Sequence, residues 1–381
     1  MRVTWDVFCN VIDNYGDIGV AWRLARDLAR APQRAVRLWV DDLAAFQRIW
    51  PAVHVDAMEQ TCEAVTVRAW RTPFPESAPA QVVIEAFGCA LPEAYLNAMA
   101  RQSPAPVWIN LEYMSAEAWV EAHHGLPSPH PRLPLTKHFF FPGYSLRTGG
   151  LLIESALPTR RDAFQRQERG AFWSALGVTE PRPGEMRVSL FGYENPALPA
   201  LLEAWRADVQ PVTCLVPEGR VLPQLAAWLG QPALRAGDVA SRGALRLHVL
   251  PFTDQDSYDR LLWACDLNFV RGEDSCVRAQ AAARPLVWQA YPQAERVHWE
   301  KLEALLQRYV AGLDDAASQA VCALWRAWNG VGGVATLGES WAGWRRHWGT
   351  LEAHARGWAA HLLALPRLTD ALADFAESRL K

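Results

Sequence analysis

Short β-prone runs that end in turn residues and lead into helical patterns recur along this chain, and that alternation leaves few folds open. Val3–Ile12 (VTWDVFCNVI) is apolar and β-prone, Asp13-Asn14-Tyr15-Gly16-Asp17 follows, and Ile18–Arg30 then carries Val20, Leu24 and Leu28 at helical spacing. Further strands are expected at Ala35–Val40, with Asp41-Asp42 at its end, and at Val65–Ala69, Gln81–Phe87 and Pro106–Asn110. Strands alternating with helices predict a parallel, doubly wound sheet. A second series begins near Met186, with strands at Met186–Tyr193, Pro211–Val216, Leu245–Phe252, Asp266–Val270 and Arg284–Trp288 and helices at Leu201–Ala207 and Tyr258–Ala264. His123–Leu135, rich in Pro and His, reads as a loop, and the charged stretch Arg160–Arg169 reads as surface and linker. From Trp299 onward the pattern is largely helical. With 381 residues there is length for two cores. The expected domains are 1–180 and 181–357, with 358–381 packing back as a helix on the first.

Composition narrows the function. Hydrophobic residues make up 50% of the chain, which fits a globular protein and not a disordered one. A net charge of -3 argues against a general nucleic-acid binder, which carries a basic surface. The 7 cysteines are scattered without CxxC spacing, so neither a zinc site nor a redox pair is indicated, and the pattern fits a reducing compartment. The first residues enter a strand-like run without a basic and then apolar leader. No apolar stretch is long enough to cross a bilayer. A soluble, cytoplasmic protein with no nucleic-acid or membrane partner is expected.

The stretch Val270–Gln280 (VRGEDSCVRAQ) carries the sharpest chemical signal. An apolar run, Leu261–Val270, feeds Arg271-Gly272-Glu273-Asp274-Ser275, and small residues follow at Ala279, Ala281, Ala282 and Ala283. That order reads as strand, tight turn and helix start. A helix N-terminus offers unpaired N–H groups and a positive dipole end to phosphate. Gly272 permits close backbone approach, Arg271 can fork onto phosphate oxygens, and Ser275 can donate its hydroxyl hydrogen. Glu273 and Asp274 suit sugar hydroxyls better than an anion. The stretch therefore fits a grip on a nucleotide-activated sugar. It fits equally an Asp/Ser helix cap beside an arginine ion pair.

Asp13 and Asp17 lie at the carboxyl end of the first strand, where open α/β sheets place their sites. Capping the next helix would need one such residue, and a pair around Gly16 exceeds that need. In the second half Phe191, Tyr193 and Phe252 lie at strand ends. They fit core packing or a slot in which a base stacks, and Gln255 could read a base edge with its amide. Gly16 and Gly19 lack the GxGxxG order, no GxxxxGK[ST], HExxH or GxSxG occurs, and His123-His124 stand in a Pro-rich loop. These absences leave little support for a dinucleotide oxidoreductase, a P-loop NTPase, a zinc protease or a serine hydrolase.

Taken jointly, several motifs resemble one family. IDNYGDIGV (Ile12–Val20) with WRLAR (Trp22–Arg26), NLEYMSAE (Asn110–Glu117), FFFPGY with TGG (Phe139–Gly150), LFGYEN (Leu190–Asn195), LPF (Leu250–Phe252) with Gln255, and RGEDS (Arg271–Ser275) resemble EarP. That family comprises protein-arginine rhamnosyltransferases acting on bacterial elongation factor P. The resemblance covers nearly the whole chain. It implies a GT-B fold of two facing Rossmann-like domains with an inter-domain cleft, and an inverting transfer of L-rhamnose from dTDP-β-L-rhamnose to an arginine side chain. It implies no metal and no cofactor beyond the donor substrate. On the resemblance, Phe191, Tyr193, Phe252 and Gln255 form the thymidine pocket, and Arg271, Gly272, Glu273, Asp274 and Ser275 grip the diphosphate and sugar. Asn14, Tyr15 and Gly16 join the nucleotide-sugar residues, and Asp13 and Asp17 are the acceptor-side carboxylates.

A guanidinium is a poor nucleophile, protonated up to a pKa above about 12. A carboxylate pair suits it, one member holding the planar fork and the other taking the proton. Asp17 is assigned as base, Asp13 as its orienting partner, and Glu273 as support for the sugar and its oxocarbenium-like charge. Glu112 and Tyr113 are further candidates for the acceptor side. Two rivals stand beside this reading: a GT-B transferase with a small-molecule or glycan acceptor, and a non-catalytic binder of a translation factor.

Overall fold

The computed structural model describes residues 2–12, 15–292 and 298–380. The chain divides into two units, Met1–Glu154 with Ala364–Lys381, and Ser155–Leu363.

Among the described residues the first unit contains eight strands: β1 (Val3–Cys9), β2 (Arg34–Val40), β3 (Glu59–Cys62), β4 (Val65–Ala69), β5 (Val82–Ala86), β6 (Val107–Leu111), β7 (Pro127–Pro129) and β8 (Thr136–Phe140). Its helices are α1 (Gly16–Ala29), α2 (Leu43–Ile49), α3 (Glu93–Ala100) and α4 (Val120–His123). The sheet order is β3-β4-β2-β1-β5-β6-β8-β7. All pairs are parallel except β3–β4 and β7–β8 at the two edges. The chain winds one way from β1 through β2 and the other way through β5. The gap between β1 and β5 is therefore a topological switch point, where such sheets open a crevice beyond their carboxyl ends.

The second unit repeats the plan with, among the described residues, six strands: β9 (Met186–Leu190), β10 (Val212–Pro217), β11 (Val239–Arg242), β12 (Leu245–Leu250), β13 (Leu267–Arg271) and β14 (Leu286–Gln289). They are ordered β11-β12-β10-β9-β13-β14, parallel apart from the edge pair β11–β12. Its helices are α5 (Leu157–Ala163), α6 (Arg169–Ala175), α7 (Leu198–Arg206), α8 (Leu222–Leu229), α9 (Gln255–Ala264), α10 (Asp274–Ala281), α11 (His298–Val310), α12 (Asp315–Trp328), α13 (Leu337–Arg346) and α14 (Trp348–Leu363). The last helix, α15 (Leu368–Glu377), belongs to the first unit, where Phe375 meets the rings of His138 and Phe140 edge-on. The switch point of this second sheet lies between β9 and β13.

The inner strands are long apolar runs because parallel strands are covered on both faces. Every residue of β5, β6, β9, β10 and β13 is buried. One core cluster of the first unit gathers Phe8, Trp39, Val83, Tyr95, Met99 and Trp108. Behind it Asp6, fully buried, receives a fork of two 2.5 Å bonds from Arg37 and a hydrogen bond from the Tyr95 hydroxyl.

Two expectations are corrected. The Pro- and His-rich segment 123–135 is not all loop, because Pro127–Pro129 pairs antiparallel with β8. Proline lacks the N–H a central strand must donate, which suits it to this outermost position. Residues 160–169 are not a linker either. They run through α5, a π-helical turn at Phe164–Glu168 and the start of α6. The charged face is outward, while Phe164 is 1% exposed and meets Trp263 edge-on.

Candidate active site

At the carboxyl rim of the first sheet, Asp17 is the central polar group. It is the second residue of α1 and is only 2% exposed. Its Oδ2 accepts the backbone N–H of Ile12 at 2.8 Å, and its Oδ1 accepts the Tyr113 hydroxyl at 2.8 Å. Asp41, just past β2, fixes the same loop: Asn10 Nδ2 donates to its Oδ2, and the Val11 N–H to its Oδ1 at 2.9 Å. Beneath this rim, burial pushes the Cys9 thiol well above its ordinary value, with Asp17, Cys89 and Asp41 adding to the shift. Tyr15 is half-buried and stands at the N-cap of α1 without a side-chain capping bond, and Gly16 opens the helix. Asp13 and Asn14 lie outside the described residues.

The second sheet carries the other group. β13 ends at Arg271, Gly272 turns with φ +63°, and Glu273 caps α10 without a side-chain capping bond. The Arg271 guanidinium, 8% exposed, lies 4.6 Å from the Phe191 ring centroid and 4.4 Å from that of Tyr193. A cation over an aromatic face is drawn to the ring quadrupole and keeps its orientation. A Cβ added at Gly272 would lie 3.5 Å from the Tyr193 hydroxyl, so turn and ring are close neighbours. The Glu273 carboxylate pairs with Lys301 at 3.8 Å.

Gln255 opens α9, capped by Asp254, and its Nε2 reaches Asp274 Oδ2 at 3.4 Å. Phe252 is half-buried in the segment between β12 and α9. Phe191 packs on Tyr258 at 5.3 Å. Burial pushes the Tyr258 phenol above its ordinary value, while the Ser275 hydroxyl and Arg271 act the other way. The structure thus brings Phe191, Tyr193, Arg271 and Gly272 together around one switch point, with Gln255 and Asp274 joined alongside.

Several supports were not foreseen. Trp288 Nε1 donates to the Gly272 carbonyl at 2.7 Å, and Gln289 Oε1 accepts the Tyr193 N–H at 2.8 Å. Behind the turn, Asp259 of α9 accepts a fork from Arg278 of α10 at 3.0 and 2.6 Å, with both side chains buried. Tyr291, 49% exposed, meets Tyr193 edge-on. In the first unit, Phe87 stacks under Tyr113. Tyr291 and Phe87 stand just past strand runs, and that position was the one available signal for them. Among the described residues no group of three or more His, Cys, Asp or Glu side chains gathers as a metal ion would require, and no helix is long and apolar enough to cross a membrane.

Two Rossmann-like sheets, each gathering polar side chains at the carboxyl ends of its strands, define a GT-B-like two-domain α/β protein of the glycosyltransferase class. The model of the elongation factor P rhamnosyltransferase family, EarP, matches residues 5–377, and the chain belongs to that family. The protein-arginine rhamnosyltransferase of Pseudomonas putida is 52% identical over 382 residues, covering 100% of both chains. That of Pseudomonas aeruginosa is 50% identical over 374 residues and 98% of both. A solved structure described as the basis for EarP-mediated arginine glycosylation of translation elongation factor EF-P aligns with a TM-score of 0.70 at 41% identity, over 99% of each chain.

Proposed function

We propose that this chain transfers L-rhamnose from dTDP-β-L-rhamnose to an arginine side chain of elongation factor P, with inversion at the anomeric carbon. The observation that carries the reading is the pair of switch points. One sheet presents a fixed, nearly buried carboxylate at its rim, and the other presents an arginine and a left-handed glycine turn opening a helix. Membership of the rhamnosyltransferase family supplies the sugar and the protein acceptor. In this reading the first unit is the acceptor side and the second the nucleotide-sugar side.

The chemistry follows from the residues. A guanidinium nitrogen attacks the anomeric carbon, the bond from that carbon to the diphosphate oxygen breaks, and dTDP leaves. The proton lost from the guanidinium passes to the Asp17 carboxylate, whose oxygens accept from the Ile12 N–H and the Tyr113 hydroxyl. Asp13 orients the guanidinium fork. Arg271, the Ser275 hydroxyl and the first N–H groups of α10 meet the charge on the departing diphosphate. Glu273 faces the sugar and supports its positive charge. Phe191, Tyr193, Phe252 and Gln255 hold the thymidine, and Asn14, Tyr15 and Gly16 complete the donor contacts. A translation factor as substrate places the reaction in the cytoplasm.

The test is intact-protein mass spectrometry of elongation factor P after incubation with the chain and dTDP-rhamnose. A gain of one deoxyhexose, lost when the acceptor arginine is replaced by lysine, is the expected result. An unchanged mass, or equal transfer to small acceptors, would refute the reading.

A further inference from the structure

One arrangement at the rim of the first sheet lies outside the chemistry above. β1, β5 and β6 are neighbours in that order. Asp17 follows β1 and Tyr113 follows β6, so the phenol must cross the end of β5 to donate to Asp17 Oδ1 at 2.8 Å. Neighbouring strands lie about 4.8 Å apart, so the crossing spans roughly two such spacings and the ring needs a floor at its middle. Phe87, the first residue past β5, supplies it. The two rings are 4.5 Å apart between centroids and inclined by only 13°. Phe87 holds φ +58°, a left-handed conformation that a phenylalanine adopts only against steric resistance. The fold fixes it there: the Phe87 N–H donates to the Leu111 carbonyl at 2.7 Å, and Gly88 follows with φ +68°. A bulky residue kept in a disfavoured backbone conformation, with its ring under a hydroxyl aimed at a carboxylate, points to a functional constraint.

We propose that Tyr113 is a positioning residue for the Asp17 carboxylate and that Phe87 holds Tyr113 in place, an inference that rests on Asp17 being the base. The Ile12 N–H binds one carboxylate oxygen and the phenol binds the other, and the two bonds together restrain the carboxylate plane. Without the phenol the carboxylate loses a contact that orients Oδ1, and the guanidinium meets a less well oriented base. Turnover then falls while nucleotide binding, which belongs to the second unit, does not.

Tyr113→Phe is expected to lower kcat with elongation factor P roughly ten- to a hundredfold, the range for a lost hydrogen bond to an ion. It is expected to leave KM for dTDP-rhamnose unchanged. Phe87→Gly removes the ring where the backbone suits glycine, so the melting temperature is kept or raised while kcat falls. Phe87→Tyr keeps the platform and the activity. An unchanged kcat in Tyr113→Phe, or a fall in kcat matched by an equal change in KM for dTDP-rhamnose, would overturn the positioning role. So would a loss of turnover in Phe87→Gly that simply tracks a lowered melting temperature. Asp17→Asn assayed alongside separates the two readings. If that variant turns over like the parent, the base assignment itself fails. If it is inactive while Tyr113→Phe is unaffected, only the positioning role fails.

Discussion

The two switch points solve opposite problems with the same sheet geometry. In the first unit a carboxylate is nearly buried, and an amide and a phenol, both neutral donors, hold it. Neither of these two donors carries a charge of its own. In the second unit a guanidinium lies over two aromatic faces. Contact with the π-faces holds the orientation of that cation. The contrast teaches that one sheet geometry fixes opposite charges by different means, hydrogen bonds to a carboxylate at one rim and aromatic faces against a guanidinium at the other.

The comparison can be broken at either rim. Asp17→Asn keeps the shape and removes the base, so transfer is expected to fall by about a thousandfold or more, measured as the initial rate of rhamnosylation. A variant that turns over undiminished would remove Asp17 from the chemistry. At the second rim, Phe252→Ala is expected to weaken dTDP binding by about 1–3 kcal/mol, the worth of one base–aromatic stack, with calorimetry as the readout. Unchanged affinity would take Phe252 out of the pocket. Gly272→Ala has room for its methyl group but must hold a left-handed backbone, at a cost of about 1–2 kcal/mol. Donor binding is expected to weaken roughly tenfold, and an unaffected variant would show that the turn tolerates another conformation.

The smallest expected effect concerns pH. Burial holds His124 and His138 of the first unit, and His248 of the second, below the ordinary imidazole value of 6.5. The unfolded chain therefore takes up these protons first. Their contribution to stability is intact above pH 6.5 and is lost as pH falls through the window beneath it, down to the folded-state values. Melting temperatures are expected to drop across that window. The His124→Gln, His138→Gln double variant should flatten the drop more than His248→Gln does.

Much of this was legible in the sequence because parallel strands buried on both faces leave continuous apolar runs. The cores of β1, β5, β9 and β13 fall within the stretches that composition marks. The RGEDS turn was legible because a glycine between strand and helix has few other uses. The short edge strands β3, β7 and β11 were not, since three or four residues carry no period and a Pro-rich one reads as loop. The dense charge of residues 160–169 hid the helix beneath Phe164. Pairings set by strand order were the least accessible. Tyr113 meets Asp17 across 96 residues, and Arg278 meets Asp259 because α9 and α10 flank β13. No local pattern encodes which strand lies next to which.

The division of labour is tested most directly by titrating dTDP into the Asp17→Asn variant calorimetrically. The account predicts the parent's affinity in a protein that no longer transfers rhamnose. A loss of dTDP affinity as large as the loss of transfer would contradict it, because the carboxylate would then belong to the nucleotide grip and not to the chemistry at the arginine.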